Sequence, residues 1–357
     1  MEAGFPARHV RKVQGALVLG ILMLMCLSLQ RGSSGATPLA QVLRAASGFL
    51  GLGPGLEPGP QWLLELRLWR GLTAAGVGAC LALAGALLQG LYRNGLASPS
   101  VLGVTSGAVL GGTLAILARR SQGVAVQAEW GGWILWLVPA AAFVGATVVA
   151  ITLLMLASGG GRVSVPILLL SGVAMNTCLG ALVVVVQNLA LADSEMTRSL
   201  MTWTFGNLDD RRLSHVVMVL VGLGSALACV PFLSRELDLL AGGESDAQSL
   251  GVPVERVKRL ALFGVCISTA CAVAAVGAVA FVGLVVPHGV RAVVGRGNRE
   301  VLWTAPLAGA VLMLGVDVLQ LSMFGHRPLG PGVAMSVVGG PLFLVLLVRQ
   351  RRRIGAW

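Results

Sequence analysis

The chain has 357 residues, of which 56% are hydrophobic and only 11% are charged, with a mean hydropathy of +0.85. Soluble domains carry roughly 25% charged residues, so the composition excludes an ordinary soluble protein. The net charge of +11 does not indicate nucleic-acid binding, because apolar runs separate the arginines, which form no basic stripe with interleaved aromatic residues.

Apolar runs of about 20 residues recur along the chain, and each is long enough to cross the hydrocarbon core of a bilayer. They predict an all-α integral membrane protein, with one transmembrane domain over residues 1–357. The 49 glycines suit helices that pack closely in lipid. The ten predicted spans are 13–29, 71–91, 101–118, 133–157, 165–191, 213–232, 258–279, 281–294, 302–323 and 331–348.

The first span has two interpretations. Arg8, Arg11 and Lys12 precede its apolar run and Gly-Ser-Ser-Gly-Ala follows it, which is also the pattern of a cleaved signal peptide. An apolar core of 17 residues is long for a signal peptide, which favours a retained helix. With the N-terminus inside, most of the 26 lysines and arginines fall on the cytoplasmic side, so the charge bias predicts that both termini are cytoplasmic.

Residues 67–107 carry the most informative motif. Two arginines, Arg67 and Arg70, precede a helix rich in alanine and glycine at 71–91, and a polar hinge at 92–95 separates it from a second small-residue segment. This region resembles the signature of the FecCD/BtuC-like permeases, which is usually written RLPR, then LLQ, RNPLA-P and LGV-SGA. Trp69 and Gly95 stand here in place of the two prolines.

The second motif is a polar segment at 234–259, on the predicted cytoplasmic side. Ser245 to Gln248 fit a capping box that would begin a short helix over Ala247–Leu250. Gly251 suits a left-handed C-terminal position, and Pro253 would stop the helix from continuing. The segment resembles the family's cytoplasmic coupling helix, which docks on an ATPase subunit; an ordinary connecting loop is the alternative. The coupling candidates within 234–257 are Gly242, Glu244, Ser245, Ala247, Gln248, Leu250 and Gly251.

A third motif covers residues 277–291 and resembles the family's G-x-x-x-FVGLVVPH-x-x-R pattern. Pro287 lacks a backbone N–H and predicts a kink or an end of the helix. His288 is interpreted as a structural cap on a freed carbonyl, with a metal or proton-relay role as the alternative. The helix-break and pathway candidates are Asn94, Gly277, Gly283, Pro287, His288 and Arg291.

Asp317 is the only acid inside a predicted span. An intramembrane carboxylate is a functional candidate by default. A buried, hydrogen-bonded structural role is the favoured interpretation, since the family often carries an acid in the matching helix.

The sequence lacks the common nucleotide-binding and metal-binding motifs of enzymes. The sequence has no GxxxxGK[ST] loop for nucleotide phosphates and no HExxH. The six cysteines all fall in apolar spans and include no CxxC pair, so we interpret them as core residues. No catalytic residue, metal or cofactor is therefore expected in this chain.

The resemblance covers 67–348 and implies a ten-helix permease of the BtuC-like type II ABC importers, in the bacterial cytoplasmic membrane. It implies a dimer with a second permease copy or paralogue, two partner ATPase subunits that use ATP and Mg²⁺, and an extracytoplasmic solute-binding protein. Arg67, Arg70 and Arg327 would dock that binding protein, with anchoring at lipid headgroups as the alternative.

The cargo expected from the resemblance is a ferric siderophore, with haem or cobalamin as alternatives. A rival of another class is an ion-coupled secondary transporter, which should place several charged residues inside its spans, where Asp317 stands alone. A structural or assembly membrane protein is a third interpretation, and it would not need a capped helix in a cytoplasmic loop.

Overall fold

The computed structural model describes the chain apart from residues 1–6, 33–34, 39, 43, 45–46, 48–57, 96, 122–133, 160–161, 164, 326–328 and 355–357. The described part is a bundle of helices. In chain order they are α1 (Ala7–Gln30), α2 (Pro58–Tyr92), α3 (Val104–Ser121), α4 (Ile134–Ala157), α5 (Val165–Leu189), α6 (Ser194–Phe205), α7 (Leu213–Leu240), α8 (Glu244–Ser249), α9 (Val254–Val276), α10 (Val282–Val294), α11 (Asn298–Phe324) and α12 (Pro331–Ile354).

Short irregular elements connect some of these helices. A 3-10 turn at Pro99–Leu102 leads into α3. Two small antiparallel hairpins follow α1 and α4: β1 (Arg31–Gly32) pairs with β2 (Gly35–Ala36), and β3 (Ser158–Gly159) pairs with β4 (Arg162–Val163).

The described helices confirm an all-α membrane protein, and each of the ten predicted spans coincides with one of them. Seven are long and apolar enough to cross a membrane, and α3, α10 and α12 contain shorter apolar stretches. Two helices are much longer than their apolar runs: α2 begins at Pro58 rather than 71, and α7 ends at Leu240 rather than 232. Hydropathy alone ends a span where polar side chains begin, although the backbone continues as helix.

Helix α6 was not among the predicted spans. Its twelve residues, SEMTRSLMTWTF, hold no long apolar run. Its start is set by Asp193, whose carboxylate accepts hydrogen bonds from the backbone N–H groups of Glu195 and Met196 at 3.1 Å each. An aspartate at this position satisfies two of the free N–H groups of a helix start.

Helix α2 is the centre of the bundle. It packs against α1, α7, α9, α10 and α11. The share of its apolar stretch that is buried is 83%, against 6% for α1 at the periphery. A second group, α3, α4 and α5, packs on the other side of α9. The residues that carry polar contacts on α2 are therefore placed to hold several helices together.

Close contacts between glycines explain how α2 accommodates so many neighbours. A Cβ at Gly78 would collide with the backbone of Gly309 on α11, and one at Gly85 would collide with the carbonyl of Gly283 on α10. Small residues allow this backbone-to-backbone approach, which is the main source of helix association in lipid.

Candidate functional site

Helix α8 is a six-residue helix between α7 and α9, and it forms one end of the bundle, called here the α8 end. It ends in a Schellman motif, because the Val252 N–H donates to the Ala247 carbonyl at 3.0 Å and the Gly251 N–H donates to the Gln248 carbonyl at 2.9 Å. Gly251 has a φ of +84°, as predicted for a left-handed stop.

The predicted capping box at Ser245 is wrong. Helix α8 begins at Glu244, one turn earlier than the predicted Ala247, and its N-cap is Gly243 with a φ of +137° and no side-chain hydrogen bond. The Ser245 hydroxyl lies 3.5 Å from Asp246 Oδ1 instead of capping the helix. A glycine cap has no side-chain oxygen, so the pattern of serine followed by glutamine misplaced the start.

Six of the seven predicted coupling residues are exposed. Ala247 is fully buried against the bundle, while Gly242, Glu244, Ser245, Gln248 and Gly251 are exposed. Leu250 is 68% exposed, an apolar side chain at the tip of a polar segment. Such an arrangement presents a rigid, partly apolar protrusion that a second protein could bind.

Lys258 fixes this protrusion to the bundle, and the sequence analysis did not identify it. Its ammonium group is almost completely buried and donates to Glu244 Oε2 at 2.8 Å and to Glu255 Oε1 at 3.2 Å. It thereby joins the start of α8 to the first turn of α9. The available signal was that the chain has only one lysine beyond residue 12.

A second polar cluster at the α8 end joins three helices. Asp238, in the last turn of α7, accepts hydrogen bonds from the backbone and side-chain nitrogens of Asn298 at 2.8 Å each. Arg291 on α10 donates to Asn298 Oδ1 at 3.0 Å and to the Arg296 carbonyl at 3.2 Å. Arg291, one of the helix-break and pathway candidates, therefore holds the end of α10 to the start of α11.

The chain breaks its helical path between α9 and α10, within the predicted motif. Gly277 ends α9 with a φ of +87°, and Phe281 precedes α10 with a φ of +66°. A Cβ at Gly277 would meet the Gly206 Cα at 2.9 Å. The Asn207 N–H donates to the Val276 carbonyl at 2.7 Å, so the loop after α6 supplies a hydrogen-bond donor to a backbone carbonyl at the end of α9.

Helix α10 continues through Pro287 to Val294, so it does not end at the proline. Pro287 cannot donate to the carbonyl of Gly283, four residues before it. That carbonyl lies against Gly85, where only a hydrogen fits. The proline and the two glycines therefore belong to a single contact between α2 and α10.

The predicted hydrogen bond from His288 to a freed carbonyl is not found among the described residues. Gln89 on α2 bonds the next carbonyl along the helix instead. Its side-chain amide donates to the Leu284 carbonyl at 3.1 Å. His288 is partly exposed and lies beside Gly95, where a Cβ would be 3.2 Å from its Nδ1. Asn94 is close by in the hinge and accepts from the Ala97 N–H at 3.1 Å. Within the described ranges no three His, Cys, Asp or Glu residues are grouped as metal ligands would be.

The opposite end of the bundle holds a buried ion-pair network. Arg70 on α2 donates two parallel hydrogen bonds to Asp317 on α11, from Nε to Oδ2 at 3.0 Å and from Nη2 to Oδ1 at 2.8 Å. Arg70 Nη1 also pairs with Asp209, in the loop between α6 and α7. Asp317 is almost fully buried and accepts a further bond from Gln320 at 2.8 Å. Asp317 is thus buried and hydrogen-bonded as expected, and its structural role stays a prediction.

Arg211 extends this network to α9. It donates to the Ala275 carbonyl at 2.6 Å. Burial lowers the pKa of Arg211 to about 10, although the carboxylates of Asp209 and Asp210 raise it. The group therefore keeps its charge at neutral pH, and the loop at 207–212 is held to both α2 and α9.

Arg67 also forms hydrogen bonds within the chain. Its guanidinium donates to the Leu29 carbonyl at 2.9 Å, to Thr37 Oγ1 at 2.8 Å and to the Gly35 carbonyl at 2.8 Å. Arg67 and Arg70 are only 4% and 8% exposed. Docking of a binding protein by these side chains requires exposed guanidinium groups, so their geometry does not support that prediction. Arg327 lies outside the described residues.

Comparisons with known proteins agree with the geometry of the bundle. The model of the FecCD transport family matches residues 19–349. The chain is 39% identical over 284 residues to the cobalamin import system permease protein BtuC of Halobacterium salinarum, covering 79% of this chain and 72% of that protein.

Two further curated relatives are named for other cargoes. The hemin transport system permease protein HmuU of Yersinia pestis is 32% identical, over 96% of this chain and 98% of the relative. The Fe(3+) dicitrate transport system permease protein FecD of Escherichia coli is 37% identical, over 81% and 86%. A solved metal-chelate type ABC transporter in an inward-facing conformation superimposes with a TM-score of 0.79 at 27% identity, covering 95% of this chain and 99% of that one.

Proposed function

The chain belongs to the FecCD transport family and is an ABC importer permease, and from that premise we propose that it moves a metal chelate inward by alternating access. The proposed cargo is a ferric siderophore, with haem and cobalamin as alternatives. Relatives named for cobalamin, hemin and Fe(3+) dicitrate are 39%, 32% and 37% identical to this chain, so the cargo class rests on what these three have in common.

The observation that carries the proposal is the exposed helix α8. It lies between two membrane-spanning helices, is ended by the Schellman motif and is held by Lys258. A helix fixed at both ends can transmit a push from a bound ATPase to α7 and α9, whereas a mobile loop would absorb it. The proposed coupling residues are Gly242, Glu244, Ser245, Gln248, Leu250 and Gly251 on the exposed surface, with Ala247 packing the helix against the bundle.

The proposed assembly has two permease chains, two ATPase subunits and an extracytoplasmic solute-binding protein. ATP and Mg²⁺ bind to the ATPase subunits, and this chain does only conformational work. With both termini in the cytoplasm, α8 faces the ATPase, and the Arg70 network lies near the outer surface. Asn94 lies in the turn after α2, and Gly277, Gly283, Pro287 and His288 lie at or after the break between α9 and α10, where the proposed pathway would change its exposure.

Ion-coupled secondary transport is the rival function. It requires an intramembrane carboxylate that binds and releases an ion. Asp317 is already neutralised by the two-pronged contact with Arg70, which favours a structural role over a transport role.

The test is ATPase activity of the complete reconstituted complex with its binding protein. We expect a metal chelate to stimulate hydrolysis when a panel of ferric siderophores, haem and cobalamin is compared. Stimulation by haem or cobalamin alone would reassign the cargo. Transport that follows an imposed proton or sodium gradient without ATP would refute the importer mechanism.

A further inference from the structure

A long groove on the outside of the bundle is not used by any of the contacts above. It has a volume of about 870 Å³ and lies between α1, α2, α7 and α11. Its wall is mostly apolar, with Trp303 near Arg299, Ala310 toward the middle of the bundle and Leu72 beyond it on the side of Arg70. Trp303 is 45% exposed, which is high for a large aromatic ring lining a concave surface.

The mouth of the groove is basic. Arg11 on α1 and Arg299 on α11 both line it and both are exposed. Neither of them forms an ion pair with another of the described residues. Glu300 is also at the mouth, but a Cβ at Gly297 would meet its Oε2 at 2.5 Å, so this carboxylate folds back over the start of its own helix.

The start of α1 adds to the positive potential at this mouth, whereas the start of α11 is partly compensated by the carboxylates of Asp238 and Glu300. Helix α1 begins at Ala7 and α11 begins at Asn298, and both starts lie at the mouth of the groove. The N-terminal ends of helices carry a partial positive charge and attract anions. Gln14 connects the two helices one turn deeper, where it donates to Thr304 Oγ1 at 3.1 Å. This contact joins the walls formed by α1 and α11 just below the mouth.

The groove is at least as deep as one leaflet of a bilayer, since its wall on α1 runs from Ala7 to Ile21, about 21 Å at 1.5 Å per residue. Its wall on α11 runs from Arg299 to Ala310, which is about 17 Å at 1.5 Å per residue. The hydrocarbon core of a bilayer is about 30 Å thick, so one leaflet supplies about 15 Å. A lipid whose headgroup lies at the arginines would place its acyl chain along the apolar wall.

We propose that this groove is a binding site for an anionic phospholipid of the leaflet at the α8 end. The phosphate lies between Arg11 and Arg299, and one acyl chain fills the groove beside Trp303. Basic pockets between membrane helices on the cytoplasmic side bind anionic headgroups in the same way. The basic mouth and the long apolar wall together match the charged headgroup and the acyl chain of such a lipid.

Trp303 supplies a direct readout. The full-length permease is reconstituted in phosphatidylcholine nanodiscs that contain an increasing fraction of phosphatidylglycerol brominated on its acyl chains. The contribution of Trp303 is the difference between the fluorescence of the protein and that of its Trp303→Phe variant. We expect brominated phosphatidylglycerol to quench this contribution at a much lower mole fraction than brominated phosphatidylcholine does.

The arginines are tested with a matched pair of variants. Each basic residue near the surface contributes about fivefold to the binding of anionic lipid. Arg11→Gln with Arg299→Gln should therefore reduce the preference for phosphatidylglycerol by about 25-fold. Arg8→Gln with Arg235→Gln removes the same charge from exposed arginines that do not line the groove, and should leave the preference unchanged.

Two results would overturn the proposal. Equal quenching by the two brominated lipids would make the groove an ordinary part of the lipid annulus. Absence of Trp303 quenching by either lipid would mean that a protein segment or nothing fills the groove. A filling variant, Ala75→Phe, gives a second measurement, since it should reduce quenching even if the arginine variants fold poorly.

Discussion

Replacing Arg70 by methionine should destabilise the folded protein strongly. Asp317, which has a fully buried side chain, receives three hydrogen bonds from the described residues, two from Arg70 and one from Gln320. Arg70→Met removes two of these donors and, among the described residues, the only cation paired with Asp317. The carboxylate is then left buried without a counter-ion.

The magnitude follows from burial. Breaking a buried ion pair by removing one partner costs about 3–5 kcal/mol, because the remaining charge is not compensated. Asp209 offers an internal comparison, since its side chain is 46% exposed. A solvated pair is worth about 0–1 kcal/mol, so Asp209→Asn should cost at most that amount. Replacing both buried partners, Arg70→Met with Asp317→Leu, should recover most of the loss.

The measurement is the free energy of unfolding of the purified permease in mixed micelles titrated with sodium dodecyl sulfate. Arg70→Met, Asp317→Leu and the double variant form a double-mutant cycle. The coupling energy between residues 70 and 317 should amount to several kcal/mol. Arg198→Met is the control, because this arginine on α6 is exposed and should tolerate the change.

Two outcomes would contradict this reasoning. If Arg70→Met costs no more than Arg198→Met, the ion pair does not stabilise the fold. If the double variant is as unstable as the sum of the single variants, the cost comes from lost packing rather than from an unpaired charge.

Further variants test the other contacts. Gly251→Val should reduce the stimulation of ATP hydrolysis by binding protein and ligand, because a left-handed φ costs a branched side chain about 1–2 kcal/mol. The control is Gly224→Val on α7, which should leave coupling normal because no heavy atom lies within 4 Å of its added Cβ. Lys258→Met should also weaken coupling while assembly persists, which co-purification of the ATPase checks, and full stimulation would contradict the fixed position of α8. Leu250→Asp should reduce the amount of ATPase that co-purifies, and unchanged binding would exclude Leu250 from the interface. Gly85→Val should abolish a monodisperse peak in size-exclusion chromatography, because its Cβ would collide with the carbonyl of Gly283, and a normal peak would show that α2 and α10 can separate.

The positions of the membrane helices could be predicted from the sequence because a bilayer imposes a simple rule on length and hydropathy. The rule fails where a helix serves a purpose other than crossing the bilayer. Helix α6 has too few apolar residues to span, and the end of α7 continues as helix through the polar run SRELDLL. Local capping by Asp193 set the start of α6, and a capping aspartate in a polar loop is too common to predict a helix on its own.

The residues of the candidate site were predictable as types and positions but not as partners. Arg70 and Asp317 were both singled out, yet they are 247 residues apart and their pairing depends on how α2 packs against α11. Gln89 and Leu284 were not singled out, and their contact also joins residues far apart in the chain, 195 positions from each other. The sequence around an arginine at the end of an apolar run is the same whether the side chain faces water, a lipid headgroup or a buried carboxylate. Only the packing of the bundle distinguishes these cases.

The polar contacts leave the bundle rigid at both ends of α11 and give the proposed coupling a direction. At the α8 end, Arg291 and Asn298 join α10 and α11 to Asp238 on α7. At the opposite end, Arg70 joins α2 to α11 and to the loop after α6. We therefore expect a displacement of α8 to move α7, α10 and α11 together, because the cluster at Asp238 links them. The strain must then be taken up where the helices are interrupted, between Gly277 and Phe281, beside the end of α6. On this reasoning, α6 and the break before α10 are where a push on α8 would change the exposure of the proposed pathway.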